Sequence, residues 1–153
     1  MNSTLPLIQL IQKHHVFCLA SQGTAGPHAT PLFYAFDAET RRFIFSSESS
    51  TRHIQEIAVS PSVAASIYLE TEEIGLIQGA QIWGRVNLDK TQETREIYFK
   101  RFPFSRAFLL AKPAHQFYTL QMRRARLIDN KLGFGKKMEW SFEEGKEDGP
   151  PPF

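Results

Sequence analysis

Hydroxyl groups and a guanidinium are concentrated where a short apolar strand passes into a helical pattern. Ser49 or Ser50 is placed to cap that helix, and Thr51, Arg52 and His53 occupy its first turn. Free backbone N–H groups, hydroxyls and a positive side chain would then meet at the positive end of a helix dipole. This combination binds phosphate monoesters. The alternative is an ordinary capped helix whose Arg52 side chain lies in solvent.

The composition limits the class of protein around this segment. At 153 residues, with 42% apolar and 22% charged residues, the chain is long enough for one globular domain. A net charge of +2 and short basic clusters argue against nucleic acid as a partner. The single Cys18 excludes an internal disulfide. No stretch is apolar enough for a membrane span, and the N-terminus lacks a leader pattern, so we predict a cytoplasmic protein with no membrane partner.

The hydrophobic pattern predicts a mainly β fold. Six strands are expected, at residues 16–20, 28–36, 42–46, 63–69, 74–88 and 115–128, with helices at 4–15, after the third strand, at 89–101 and as a short turn near 106–111. Short antiparallel strands with two to four peripheral helices favour a small closed barrel. Residues 1–140 would form this single domain, and the charged, proline-rich residues 141–153 a disordered tail.

Several residues carry local expectations within these elements. Pro31 indicates an edge strand or a bulge. Two glycines inside the fifth strand, Gly79 and Gly84, indicate a bulge or a close approach by backbone or ligand. Asp89 is placed to cap the helix that follows. Arg124 and Arg126 continue the face of the last strand that begins with apolar side chains, so that face is expected to become a rim or a binding surface.

No catalytic pair or metal motif stands out. We find no Ser/His/Asp arrangement with motif context, no Gly-rich phosphate loop and no Cys/His spacing for a metal. The adjacent His14 and His15 would point about 100° apart on a helix, so both could not bind one ion. No metal site is predicted. A bound cofactor that carries the chemistry itself would explain this lack of a catalytic constellation.

Four segments resemble a known family. They are residues 45–55 with Ser-Thr-Arg-His, residues 76–79 (Leu-Ile-Gln-Gly), residues 101–103 (Arg-Phe-Pro) and the unusual residues 129–140. Over residues 5–140 the chain resembles the FMN-binding split barrels of the pyridoxamine 5'-phosphate oxidase-like superfamily. It is most similar there to the YhbP-like (UPF0306) branch. The resemblance implies a six-stranded antiparallel split barrel.

The resemblance also implies a homodimer with two FMN sites at the subunit interface. Transferred by motif, Ser46, Thr51 and Arg52 would hold the FMN phosphate. The other implied cofactor residues are Phe33 and Tyr34 beside the flavin ring, Gln78 and Gly79 near the ring or ribityl chain, and Trp140 with Lys136 from the other subunit. Simpler roles are a surface position for Gln78, dimer packing for Trp140 and a solvated Lys136.

The resemblance implies an FMN-dependent oxidoreductase of unknown substrate, and Tyr34 and His53 are candidate acids. Superfamily members that form pyridoxal phosphate have basic side chains on the second strand, whereas residues 30–36 have none here, so that particular activity is not predicted. Two alternatives stay open. One is a haem- or deazaflavin-binding protein, for which five histidines are available as iron ligands. The other is a dimeric scaffold without a cofactor.

Overall fold

A computed structural model of the chain describes residues 3–142. Within this range the strands are β1 (Val16–Gly23), β2 (Gly26–Phe33), β3 (Ala35–Asp37), β4 (Arg42–Glu48), β5 (Ser62–Tyr68), β6 (Gln78–Leu88), β7 (His115–Asp129) and β8 (Lys137–Ser141). The helices are α1 (Leu5–Lys13), α2 (Arg52–Val59), α3 (Gln92–Arg101) and α4 (Ser105–Leu110), with short 3₁₀ turns at Ile74–Leu76 and Asn130–Leu132.

All eight strands belong to one antiparallel sheet. The strand order is β2-β1-β5-β6-β7-β4-β3, and β8 pairs with the second half of β7 beyond the end of β4. β2 and β3 lie at opposite ends of this order, yet only Tyr34 separates them in the chain. The sheet must therefore curl until its two ends meet, which gives a half-barrel. The predicted mainly β split barrel is confirmed.

The strand count differs from the predicted six at two places. The expected second strand breaks at Tyr34, whose backbone N–H donates to the His15 carbonyl and whose side chain turns into the core. β3 is thereby separated from β2. The second difference is β8. It was not predicted because the glycines and lysines around its start are not typical of a strand. Pro31 does lie on an edge strand, because among residues 3–142 β2 pairs only with β1.

The core fills the inside of the curled sheet. α1 contributes Leu7, Leu10 and Ile11, and its Pro6 lies in the first turn, where the missing N–H costs nothing. A second, smaller cluster lies under α3 and is mainly aromatic; it contains Ala35, Ile44, Tyr98, Phe99 and Phe117. The sheet is thus covered by helices on both sides near β3 and β4.

A β-bulge interrupts the pairing of β6 with β7. Trp83 pairs with Arg124 while the next residue, Gly84, pairs with Met122, so the register between the two strands shifts by one residue at Arg123. A Cβ atom at Gly84 would lie 2.1 Å from the carbonyl oxygen of Gln121. Only glycine allows this approach, and the predicted bulge is confirmed.

The bulge overturns the expectation for the end of β7. One extra residue reverses the alternation of side chains, so Ala125 and Leu127 enter the core. Arg124 and Arg126 therefore lie on the outer face of the sheet. There the Arg126 guanidinium pairs with Glu139 on β8 and lies 5.8 Å from the centre of the Trp83 ring. The prediction that both arginines continue the core face is wrong.

Two predicted helix caps are also wrong by one turn or less. Thr51, rather than Ser49 or Ser50, occupies the N-cap position of α2 without a capping side-chain bond, and Thr91 rather than Asp89 caps α3. Asp89 instead accepts hydrogen bonds from the Thr91 backbone and hydroxyl and from the Thr94 hydroxyl. Its carboxylate therefore supports the cap without being the cap.

The end of the domain lies slightly beyond residue 140. Ser141 is the last residue of β8, and Phe142 donates its N–H to the Arg123 carbonyl. The Arg41 guanidinium lies 4.7 Å above the Phe142 ring. Ser141 and Phe142 thus belong to the domain, and the other residues of the predicted tail, 143–153, lie outside the described range. Across residues 3–142, none of the helices combines the length and the hydrophobicity needed to cross a bilayer.

Candidate functional site

The N-terminus of α2 presents backbone donors to its surroundings. Thr51 has an extended backbone, with φ −69° and ψ 149°, as an N-cap residue should. Its hydroxyl does not cap the helix, because it donates instead to the Glu48 carbonyl over 2.8 Å. The N–H groups of the first turn therefore receive no capping side-chain acceptor.

Ser47, and not Ser46, faces this helix end. In β4 the side chains alternate, so Ser47 continues the core face of Phe43 and Phe45. Its hydroxyl lies 2.8 Å from His53 Nε2 and 3.3 Å from the Thr51 hydroxyl. The structure does not bring Ser46 together with Thr51 and Arg52.

Ser46 belongs to the opposite face of the sheet. Its hydroxyl lies 3.4 Å from His115 Nδ1, and His115 Nε2 lies 3.3 Å from the Glu48 carboxylate. The motif match grouped Ser46 with Thr51 and Arg52, but neighbouring residues of a strand point to opposite faces, so Ser47 is the serine that lies beside Thr51.

Glu56, on α2, is the centre of a polar cluster. Arg52 Nε donates to Glu56 Oε1 over 2.7 Å, and the Ser21 hydroxyl donates to Oε2 over 2.6 Å. His28 Nδ1 lies 3.7 Å from the same carboxylate. The hydrogen bonds from Ser21 and then from Arg52 lower the pKa of Glu56, so the group is a carboxylate at neutral pH.

His53 is neutral in this environment. Its side chain is buried, and burial is the main cause that lowers its pKa, followed by the proximity of His28. The two imidazole rings have centres 6.4 Å apart. His28 Nδ1 is buried and has no hydrogen-bond partner among residues 3–142. This nitrogen faces the Glu56 carboxylate, 3.7 Å away.

These groups fit a phosphate, with one departure. The α2 amides and the Arg52 guanidinium are donors that a phosphate accepts from, and the Thr51 hydroxyl lies beside them while it donates to the Glu48 carbonyl. Arg52 is half-exposed, with 49% of its side-chain surface accessible, so it can turn toward a ligand. Glu56, however, already neutralises Arg52. An incoming phosphate must compete with that carboxylate for the guanidinium.

Gln78 and Gly79 lie together at the start of β6. Gln78 Nε2 donates to Asp129 Oδ2 over 2.8 Å. A Cβ atom at Gly79 would lie 3.0 Å from the Ile67 carbonyl, so the close approach is to the backbone of β5. Both residues line a shallow cleft of about 340 Å³ with Tyr68 and Ile77. They face this cleft and are not in contact with α2.

Lys136 and Trp140 are not brought to the α2 site within one chain. Lys136 is exposed, in the turn before β8, and its N–H donates to the Gly133 carbonyl. Trp140 is only 8% exposed and packs in the main core of its own chain. Its inward direction follows from the alternation of β8, which places Met138 and Trp140 on the core side. Within its own chain Trp140 thus packs in the core, and its expected role toward the other subunit's site stays a prediction.

Phe33 and Tyr34 have opposite environments. Phe33 is 60% exposed and makes an edge contact with the Phe102 ring. Tyr34 is buried, and its hydroxyl donates to the Ile11 carbonyl over 2.6 Å. Burial raises the pKa of Tyr34, an effect that the charge of Arg101 only partly offsets. Tyr34 is thus a structural residue, and its hydroxyl is not available as an acid.

Sequence reasoning missed Ser21, His28, Ser47 and Glu56. Two of them carried a signal: Glu56 is four residues after Arg52 on one helix, and Ser47 is two residues after Phe45 on one strand. Ser21 and His28 reach the site only through the pairing of β1 with β2. Across residues 3–142 no three His, Cys, Asp or Glu side chains are grouped so that they could hold a metal.

The half-barrel and its α2 site define a class of protein. The chain belongs to the pyridoxamine 5'-phosphate oxidase family, because the model of that family matches residues 7–129. The UPF0306 protein YhbP of Escherichia fergusonii is 30% identical over 150 residues, which cover 96% of this chain and 99% of that protein. The predicted YhbP-like branch is thus confirmed.

Solved structures with this fold include proteins that hold different cofactors. A haem-binding protein from Mycobacterium smegmatis superposes with a TM-score of 0.72 at 15% identity, over 86% of this chain and 55% of that chain. An FAD-binding protein from Mesorhizobium loti superposes with a TM-score of 0.66 at 16% identity, over 81% and 90%. At such identities the likeness shows the fold alone.

Proposed function

We propose that the chain is an FMN-binding flavoprotein, a homodimeric oxidoreductase with FMN at the subunit interface. The observation that carries the proposal is the uncapped N-terminus of α2, where backbone donors, Thr51 and Arg52 meet. The family match and an FAD-binding structural neighbour support a flavin over other phosphorylated ligands. Ser47 replaces Ser46 in this proposal, since it faces the same helix end.

Arg52→Ala tests the phosphate site. The guanidinium contributes a charge-assisted hydrogen bond to the phosphate, but half of the side chain is in water. We expect FMN to bind about tenfold more weakly to the variant, or ~1.4 kcal/mol, in a titration followed by flavin fluorescence. Riboflavin lacks the phosphate, so its affinity should not change.

Arg106→Ala is the matched control. Arg106 is a half-exposed arginine with 47% of its side-chain surface accessible, and it also pairs with a glutamate, Glu96, over 2.9 Å. This variant should bind FMN as the parent does. An equal loss in both variants, or an equal loss for riboflavin and FMN, would remove the phosphate assignment.

The oxidoreductase role requires little of the protein's own side chains. FMN supplies the hydride-transfer chemistry when it is bound. The contributions of this chain are to hold the phosphate at α2 and to orient the ring. Neither Tyr34 nor His53 offers an exposed acidic proton, since both are buried and hydrogen-bonded. Anaerobic bleaching of the flavin absorbance by NADH or NADPH tests the activity. If neither compound bleaches the flavin, the protein binds FMN but does not accept electrons from a nicotinamide cofactor.

Haem is the second candidate, favoured by the haem-binding structural neighbour. Several histidine nitrogens are already engaged. His53 Nε2 lies against the Ser47 hydroxyl, and Arg101 lies 2.6 Å from His15 Nδ1. An absorbance titration distinguishes the two cofactors: a Soret band with added hemin favours haem, and saturation at one FMN per chain favours the flavin.

A further inference from the structure

A second cleft lies away from the α2 site, between α1, β3 and α3. Its volume is about 390 Å³, within the range of small-molecule sites. The lining residues are Ile11, Gln12, His14, Tyr34, Ala35, Phe36, Ile97, Lys100 and Arg101. None of them belongs to α2 or contacts Glu56, so this cleft is separate from the proposed phosphate site.

The floor of the cleft is apolar and is formed by buried side chains. Ile11 is fully buried, and Tyr34 and Ala35 are 1% and 2% exposed. The Tyr34 hydroxyl is occupied by the Ile11 carbonyl, so the phenol presents its ring and not a polar group. Phe36 packs against the Phe43 ring with centres 4.8 Å apart. Such a floor favours an aromatic or aliphatic body.

The rim of the cleft is positive. Lys100 and Arg101 line it, and no described lining residue is acidic. Arg101 donates to the Gln12 carbonyl over 3.3 Å and contacts His15 Nδ1 at 2.6 Å. Arginine can only donate, so His15 is the acceptor in this contact. Neither contact is with a carboxylate, so no acidic side chain cancels the charge of the guanidinium there.

The nearby carboxylates are committed elsewhere. Asp37 lies beside the cleft on β3 but pairs with Arg42 over 3.3 Å, and Glu96 on α3 pairs with Arg106. Lys100 has no ion pair among residues 3–142. The rim therefore carries two positive charges that face an apolar floor without a compensating acid.

We propose that this cleft binds a small aromatic or aliphatic carboxylate. The apolar body would lie on Ile11, Tyr34 and Phe36, and the carboxylate would lie between Lys100 and Arg101. Arginine and lysine are the side chains that bind carboxylates, and a pocket with an apolar floor and few charged groups fixes both the position and the orientation of such a ligand. This site does not use the α2 phosphate site, although Tyr34 in its floor is also a residue that the family resemblance places beside the flavin ring.

The test uses naphthalene-2-carboxylate and its neutral counterpart, naphthalene-2-carboxamide, titrated into the ¹⁵N-labelled protein. We expect saturable amide shifts at Gln12, Phe36 and Arg101 with the carboxylate, and at least tenfold weaker binding of the carboxamide. Lys100→Glu should weaken the carboxylate at least tenfold. Equal affinities for the two compounds, or shifts elsewhere in the protein, would overturn the proposal.

Lys90→Glu is the matched control. Lys90 is an exposed lysine just before α3, outside the lining of the cleft, and its replacement changes the net charge by the same amount. It should change carboxylate binding by less than twofold. A loss equal to that of Lys100→Glu would show a general charge effect and refute the site. Arg52→Ala should bind naphthalene-2-carboxylate normally, whether or not it binds FMN.

Discussion

The pairing of Arg52 with Glu56 is the residue-scale feature that most affects the proposed phosphate site. Glu56 holds the guanidinium over 2.7 Å and is itself fixed by Ser21. The site therefore has nearly equal positive and negative charge before any ligand arrives. A strong phosphate site would have a surplus of positive charge. We therefore expect the affinity of this site for phosphate to be modest.

Glu56→Gln should bind FMN more tightly than the parent, by about three- to tenfold. The substitution removes the negative charge while keeping a side chain of the same shape that Ser21 can still reach. Fluorescence titration with FMN, and with riboflavin for comparison, measures the effect. Weaker FMN binding in Glu56→Gln would mean that Arg52 must be held by Glu56 in order to bind the phosphate.

The buried His53 makes stability depend on pH. Burial lowers the pKa of His53 in the folded state. Below about pH 6.5 the unfolded chain therefore binds a proton at His53 more readily than the folded chain does. The contribution of the neutral His53 to the free energy of unfolding is therefore fully present above about pH 6.5 and is lost progressively as the pH falls below that value. The limit for one proton is about 1.4 kcal/mol per pH unit.

Urea unfolding at pH 7.5 and pH 5.5 measures this effect, with His53→Gln as the comparison. Gln keeps a polar group near Ser47 but cannot be protonated in this range. The parent should lose more stability than the variant between the two pH values. Equal losses would assign the acid sensitivity to other groups.

Ser46 and Ser47 show how far the residue scale could be predicted. The motif located the turn and the arginine, which depend on local spacing. It did not locate the serine, because the face of a strand residue depends on the register of the sheet. Ser21 and His28 could not be predicted at all, since they reach Glu56 through the pairing of two distant segments.

At the scale of elements, the bulge at Trp83 and Gly84 decides which side chains of β7 enter the core. A glycine inside a long strand predicted the irregularity, but not which residue of the partner strand it displaces. The extra residue proved to be Arg123, so the arginines that follow were assigned to the wrong face. A change of one residue in register reverses every side chain after it.

Gly84→Ala should destabilise the protein by about 2–4 kcal/mol in denaturant unfolding. The added Cβ would lie 2.1 Å from the Gln121 carbonyl oxygen, which belongs to the backbone of β7 and cannot move without breaking the ladder. Gly75→Ala is the control, because no atom lies within 4 Å of its Cβ position. Its stability should change by less than about 0.5 kcal/mol. Similar stability for both variants would mean that the bulge can relax.

At the scale of the whole molecule, the fold class was predictable and the strand count was not. Long periodic segments and tight polar turns indicated an antiparallel barrel. β3 is separate from β2 because Tyr34, between them, turns its side chain into the core. This turn depends on the curling of the whole sheet, so the local sequence did not predict it. β8 exists because β7 extends beyond β4 and offers a free edge to Lys137–Ser141.

Large exposed apolar side chains are consistent with the proposed homodimer. Val59, Phe104 and Phe134 are 88%, 95% and 78% exposed in the single chain. We expect light scattering after gel filtration to give twice the 17.5 kDa mass of one chain. Phe104→Glu and Phe134→Glu, measured separately, identify which surface lies in the interface. A mass of one chain at all concentrations would contradict the dimer.

The two prolines of β2 have a consequence for the behaviour of the protein at high concentration. β2 is an end of the sheet, and Pro27 and Pro31 cannot donate a backbone hydrogen bond to a strand from another molecule. Such a strand is a poor template for the stacking that begins fibril growth. Pro31→Val restores one donor at this edge, and it should shorten the lag time of thioflavin-positive aggregation under agitation. The prolines at this edge of the half-barrel are thus expected to limit strand pairing between molecules.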